Sequence, residues 1–520
     1  MATPAIALGS VVALLVLPPR KRLGFAATKE PSMTDVARLS AIAMSGLIKA
    51  GELSPTECTV AVLDRMAAWA PALNAFVDFD PEGALIQARA ATDATRHGVE
   101  IGPLHGVPVT VKNNQAVRGF STRRGSRLTS TEPAAADAPL VSRLRKAGAI
   151  VVGTTTMAEQ GWSATGDSPL TGSTHNPWMF GRTAGGSSSG AAAMAGAGCG
   201  PLHVGTDGAG SIRIPAHFCG VVGFKPTYGR VPYTPVPNNA NLSHAGPITR
   251  SVHDAALMTA VMSGPHKRDP FSLPGIMSPE VEPGDLSGIR IAYRPDLGHA
   301  RVDPDVTRIV ERALAAFIQA GAVVEHVTPA WGPGGPSIIR DMWGLDVLGF
   351  LPGDEMRASQ MDPGLLACIN DFDRLTAIEG VNAAGRRLSY AAEVNTWFPD
   401  EDWDVIVTPS ASVAAFPVGR LIPESWPQHP WDWISWAEFS YPFNLSHGPA
   451  ISVPCGLSTE GLPVGLQIAG PRLGDAIVLR VAAAFLEAQP FNEWPTPPGD
   501  DVRVNIPVEA TEDSTREAAA

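Results

Sequence analysis

A chain of 520 residues that is 44% hydrophobic and only 17% charged can bury a large core, which excludes disorder of the whole chain. Its formal net charge of −12, with no basic stripe beyond Arg20-Lys21-Arg22, argues against a nucleic-acid surface and makes a small molecule the default partner. Cys58, Cys199, Cys219, Cys368 and Cys455 are scattered and never spaced C-x-x-C, so neither a disulfide framework nor a zinc site is suggested, and a reducing, cytoplasmic compartment fits.

Residues 5–17 form a nearly continuous apolar run, about as long as a signal-peptide core and short of the ~20 residues that span a bilayer. A secretory signal has its positive residues ahead of the run, whereas Arg20, Lys21 and Arg22 follow it. Residues 1–33 are therefore read either as an extension without structural role, Met33 being the true start, or as a cleaved or anchoring segment. One domain is expected over 34–496. Helices are expected at 40–51 and 54–69, the second opened by Ser54-Pro55-Thr56-Glu57 with its cap, N1 proline and early acid. Residues 107–111 and 149–152 read as buried strands with a helix over 139–146 between them, an alternation that implies parallel pairing. Alternation continues through 290–293, 304–320, 323–327, 405–408, 450–453 and 465–468, so the class is α/β. Residues 497–520 turn polar and acidic and read as a disordered tail.

Two stretches break this pattern, 331–375 and 426–443. The second concentrates Trp426, Trp431, Trp433, Trp436, Phe439, Tyr441 and Phe443 in a chain with 7% aromatic residues. These rings are read first as packing between helices or within a lid, and otherwise as the aromatic wall of a substrate pocket.

Lysine is scarce, and only Lys112 and Lys225 are embedded in apolar sequence. Lys112 follows His105-Gly106-Val107-Pro108-Val109-Thr110-Val111, and burial among valines pushes an amine toward its neutral form. Asn113 and Asn114 next to it can hydrogen-bond an amine without fixing its charge. A neutral amine beside hydroxyls can serve as base for a serine nucleophile, and two loops supply the serines: Gly185-Gly186-Ser187-Ser188-Ser189-Gly190 and Gly205-Thr206-Asp207-Gly208-Ala209-Gly210-Ser211-Ile212-Arg213. Their glycines suit tight turns that present bare N–H groups. The first loop has the composition of a linker, but residues 191–195 are strong helix formers, which a linker has no reason to feed. Gly186-Ser187-Ser188-Ser189-Gly190 also matches G-x-S-x-G with Ser188 as nucleophile and a later histidine such as His447. That motif needs a preceding strand, and Pro177 and Gly181 stand where it should be. No dinucleotide or phosphate-binding glycine pattern occurs, and no cofactor or metal is implied.

These segments together resemble the amidase signature family from about Thr34 to Pro490. The two serine loops, then Gly223-Phe224-Lys225-Pro226-Thr227-Tyr228-Gly229-Arg230, look like its central signature in order. Leu104-His105-Gly106-Val107-Pro108, Pro449-Ala450-Ile451-Ser452-Val453-Pro454 and Gly461-Leu462-Pro463-Val464-Gly465-Leu466-Gln467 look like further landmarks. The resemblance implies a single large α/β/α sandwich around a mixed, mostly parallel sheet. It implies Ser211 as nucleophile, Ser187 as bridging serine, usually with a cis peptide bond, and Lys112 as base. Gly208, Ala209, Gly210 and Ser211 match the oxyanion loop; Asn113, Thr206, Asp207 and Arg213 match the surrounding shell; Lys225 falls in a structural segment. Departures are Asn113, where aspartate is common, Ser189 for a frequent glycine, and Gly208 and Ala209 in the oxyanion loop. The loss of a charge at Asn113 is expected to ease access to neutral Lys112.

The implied activity is hydrolysis of a small-molecule carboxamide, anilide or carbamate through an acyl-enzyme on Ser211, with no nucleic-acid partner and no membrane association; monomer or homodimer is the family habit. The alternative within the fold is the glutaminase subunit of a tRNA-dependent amidotransferase, against which Ile214 stands in place of that subunit's common glutamine. A catalytically silent scaffold would be marked by loss of Lys112, Ser187 or Ser211, and none is lost.

Overall fold

The computed structural model describes residues 32–99, 102–237, 241–282 and 284–497. Apart from Ser32, Met33 and Pro497, the expected N-terminal extension and acidic tail lie outside the described residues.

Among the described residues the strands are β1 (Phe76–Phe79), β2 (Pro108–Lys112), β3 (Ile150–Thr155), β4 (Asp167–Ser168), β5 (Gly172–Ser173), β6 (Leu202–Asp207), β7 (Val222–Lys225), β8 (His244–Thr249), β9 (Arg290–Tyr293), β10 (Val323–His326), β11 (Val405–Pro409), β12 (Ala450–Leu457) and β13 (Pro463–Ala469). β4 and β5 form a small ribbon; the other eleven make one sheet in the order β1-β3-β2-β6-β8-β7-β12-β13-β11-β9-β10. Every residue of β2, β3, β6, β7, β8, β11 and β13 is buried, so helices cover both faces of this α/β/α sandwich.

The sheet is mixed, but the expectation of a mostly parallel one is corrected: among the described strands, six of its ten pairings are antiparallel. Parallel pairing is confined to β3-β2-β6 and β11-β9-β10. Between these blocks β8, β7, β12 and β13 run antiparallel, and β12 and β13 are joined by a short turn. A strand covered on both faces reads as a continuous apolar run whichever way its neighbours point, so the sequence pattern could not reveal this block's direction.

The two opening helices form at Ala41–Ala50 and Pro55–Leu73, the second with the expected capping box between Ser54 and Glu57. The helix Pro139–Lys146 carries β2's block back to β3, and Ser189–Gly196 is wholly buried behind the first serine loop. The interrupting stretches both pack into one aromatic-rich core beside the sheet. No described helix is long and apolar enough to cross a membrane.

Candidate active site

Lys112 ends β2, and the strand's two-residue period puts it on the face of Pro108 and Thr110, with Val109 and Val111 on the other. Its Nζ is fully buried, donates to Ser188 Oγ (2.9 Å) and Thr206 O (3.3 Å), and lies 2.8 Å from Ser187 Oγ. Burial lowers its pKa from 10.5 to about 7, against a smaller upward pull from Asp207. Asn113 and Asn114 do not bond the amine, contrary to the expectation from their adjacency. Asn113 instead clamps the following loop, donating to Ser121 O and Thr154 Oγ1 and accepting from the amides of Arg123 and Arg124. Asn114 donates to Thr206 Oγ1 and Tyr233 Oη.

The first serine loop turns at Gly186, where a Cβ would meet Thr165 O at 2.0 Å, and its Gly186–Ser187 peptide is cis. No strand leads into it, which removes the basis of the G-x-S-x-G reading. The second loop leaves the end of β6, beside Lys112, because β2 and β6 are parallel neighbours. The Ser188 amide donates to Ser211 O (3.2 Å), tying the two loops together. Gly210 takes φ +114°, and a Cβ there would sit 2.5 Å from Ser440 Oγ. Of the four amides expected to form an oxyanion hole, Gly210 N is occupied by Asp207 Oδ1 (2.7 Å). The amides of Gly208, Ala209 and Ser211 donate to no acceptor among the described residues.

Beneath this loop lies a buried ion pair. Arg213 binds both carboxylate oxygens of Asp207 at 2.9 Å and also donates to Ser440 O, Gln467 Oε1 and Asn444 Oδ1. Burial alone would raise the Asp207 pKa, but Arg213 holds it well below the usual carboxylate range. The carboxylate in turn accepts from Gly210 N and Ile212 N, so the pair sets the shape of the oxyanion loop. Removing one member leaves the other charge buried and unpaired. Arg213→Met should cost about 3–5 kcal/mol, read as a fall in the urea midpoint, and an unchanged midpoint would contradict it. Lys225 is buried separately, donating to Gly448 O and Pro226 O, and does not enter the site.

Ser187, Ser211, Thr206 and Gly208 open on a solvent-connected cavity of about 640 Å³ whose other walls include Asn114, Arg124, Gln160, Tyr233, Trp343, Asp346 and Phe350. All seven rings of the 426–443 stretch are buried in the aromatic core, and none lines this cavity, so their packing reading holds. The cavity's rings are Trp343 and Phe350 from 331–375 and Tyr233. Ser188, Asn114, Tyr233 and Asp346 were not singled out from sequence for these places; no spacing links residues so far apart in the chain. Among the described residues no group of His, Cys, Asp or Glu could hold a metal ion.

The chain matches the family described as Amidase over residues 57–343 and 365–479. It is 40% identical over 470 residues to an acylamidase of Rhodococcus erythropolis, covering 87% of this chain and 96% of that protein. It is 35% identical over 499 residues to a glutamyl-tRNA(Gln) amidotransferase subunit of Salinispora arenicola, covering 90% and 100%. Among solved structures, a bacterial aryl acylamidase of the amidase signature enzymes superposes with TM-score 0.81 at 28% identity, over 88% of this chain and 97% of that one. A 6-aminohexanoate cyclic dimer hydrolase superposes with TM-score 0.79 at 28% identity, over 88% and 99%.

Proposed function

This chain belongs to the amidase family and is an amide hydrolase of small molecules, and on that premise we propose that Lys112, Ser187 and Ser211 carry out the hydrolysis. The observation that supports this is a buried amine of lowered pKa, 2.8 Å from the Oγ of Ser187, which lines the same cavity as Ser211.

A count of hydrogens supports one direction for the relay. The single Ser188 hydroxyl proton goes to Thr206 O (3.1 Å), so Ser188 Oγ can only accept, from Thr206 N and from Lys112. Thr206 O is likewise an acceptor, so the two N–H bonds of a neutral Lys112 are used by Ser188 and Thr206, and its lone pair is left facing Ser187 Oγ. Ser187 then gives its proton to Lys112 and takes one from Ser211, whose oxygen attacks the amide carbon. The oxyanion is received by the amides of Gly208, Ala209 and Ser211. The leaving nitrogen takes a proton from Ser187 as the C–N bond breaks while Lys112 returns its own to Ser187 and is neutral again, and water then cleaves the acyl-enzyme by the same relay, releasing the acid and restoring Ser211. Nothing in this sequence of steps calls for a cofactor.

We read residues 34–496 as one catalytic domain acting in the cytoplasm, alone or as a homodimer, with neither nucleic acid nor membrane as partner. Trp343 and Phe350 on the cavity wall favour an amide with a bulky apolar or aryl half. Ile214 behind the nucleophile loop, where the amidotransferase subunit commonly has glutamine, favours a free-standing amidase over a glutaminase. Purified alone, the protein should hydrolyse aryl and alkyl amides with kcat/KM on the order of tenfold or more above that for glutamine. Release of ammonia from glutamine in preference to every other amide would point to the glutaminase instead.

A further inference from the structure

Asp346 occupies the last turn of the helix Gly335–Val347 and reaches the same cavity as Ser187 and Ser211, with Trp343 one turn before it and Phe350 just after. Its carboxyl has no hydrogen-bond or ion-pair partner among the described residues. Arg340, on the same helix, bonds Asp432 at 2.9 Å instead. Arg124 lines the cavity but forms no ion pair with Asp346.

Two local influences disfavour a bare negative charge at this partly exposed position. The residue sits at the negative end of its helix, whose last turn carries no basic side chain. Burial pushes its pKa well above the ordinary carboxyl value. The neighbouring Cys368 thiol is raised by burial and then by Asp371, Asp432 and Asp346, which places acidic groups behind this side of the cavity. An unpaired carboxyl held against these costs, beside two aromatic rings and facing the reacting serines, has the character of a group whose partner arrives with the ligand.

We propose that Asp346 is a specificity-determining residue that receives a protonated amine carried by one half of the amide substrate, Trp343 and Phe350 packing on the apolar stem that joins that amine to the scissile bond. This rests on the hydrolase reading above and names the substrate class for the same site. Cation and carboxylate satisfy one another, and the ring faces add attraction for a positive charge.

The test compares a series of ω-aminoalkanamides with n-alkanamides of equal heavy-atom count, on the wild type and on Asp346→Asn, which keeps shape and removes charge. The wild type should favour the best amino compound by at least about tenfold in kcat/KM over its isostere, and Asp346→Asn should bring that ratio close to one. No preference in the wild type, or a ratio untouched by the substitution, overturns the proposal. Should neither series turn over, both are used to protect Ser211 from a fluorophosphonate label, and equal protection by amine and isostere overturns it likewise. Hydrolysis or labelling that survives Ser211→Ala would instead sink the underlying catalytic reading, a result separate from the ratio.

Discussion

Ser211→Ala is expected to lower kcat on any amide or ester substrate by on the order of 10⁴-fold or more and to abolish labelling by a fluorophosphonate, leaving the fold intact. Two other serines converge on the same site, and their hydrogen bonds separate the roles. Ser188 is saturated, with its proton on Thr206 O and its lone pairs on Thr206 N and Lys112, so an attack by it would have to break a buried network. Ser187 is in direct contact with the amine and is placed to pass protons. Ser211 stands in the loop whose unpaired amides would receive the oxyanion, and it is tied to the first serine loop through its backbone carbonyl, which accepts from Ser188 N. Because its side chain supports no core network, the substitution should change unfolding free energy by no more than about 0.5 kcal/mol. A variant that keeps turnover comparable with wild type, with its melting temperature unchanged, would remove Ser211 from the mechanism.

What the chain discloses on reading, and what it withholds, follows the range of the interaction involved. Local signals were sufficient for Pro55–Leu73, whose cap, proline and acid lie within four residues, and for Pro139–Lys146 between two apolar strands. The three residues proposed for catalysis stood out in the sequence because each sits in a short glycine-bounded or apolar segment of unusual composition. Strand direction was not, because β7, β8, β12 and β13 are buried on both faces and carry no mark of their neighbours' polarity. Adjacency also misled: Asn113 follows Lys112 in sequence, yet the strand's alternation turns it to the opposite side, toward Ser121 and Thr154. The groups that do bond the amine, Ser188 Oγ and Thr206 O, come from a separate loop and a neighbouring strand. The aromatic cluster at 426–443 announced itself by composition, while the cavity drew its rings from Tyr233, Trp343 and Phe350, single residues in segments of ordinary composition.

Lys112→Met should reduce kcat/KM by on the order of 10³-fold at neutral pH and erase the acid limb of the pH profile. Only the neutral amine has a lone pair for Ser187, so wild-type kcat/KM should rise about tenfold per pH unit up to the Lys112 pKa of about 7 and level off above it. Folding free energy gives a second, independent signature. With the folded pKa lowered from 10.5 to about 7, the unfolded chain holds one more proton than the folded one between those values, so this group makes stability rise with pH across that window. Below about 7 both states are protonated and the penalty is fully developed, at roughly 5 kcal/mol relative to alkaline pH. The wild-type curve of unfolding free energy should therefore climb more steeply than that of Lys112→Met between neutral and alkaline pH, the difference isolating this one residue from the cysteines and tyrosines that titrate in both. A merely structural lysine, kept charged by a partner, would be protonated in both states and give no slope between about 7 and 10.5, and no acid limb in rate. Burial of the amine thus costs stability over the same pH range in which it creates a base, and a Lys112→Met variant that lost the steep stability slope while keeping wild-type kcat/KM and its acid limb would separate the two effects and reject Lys112 as the proton acceptor.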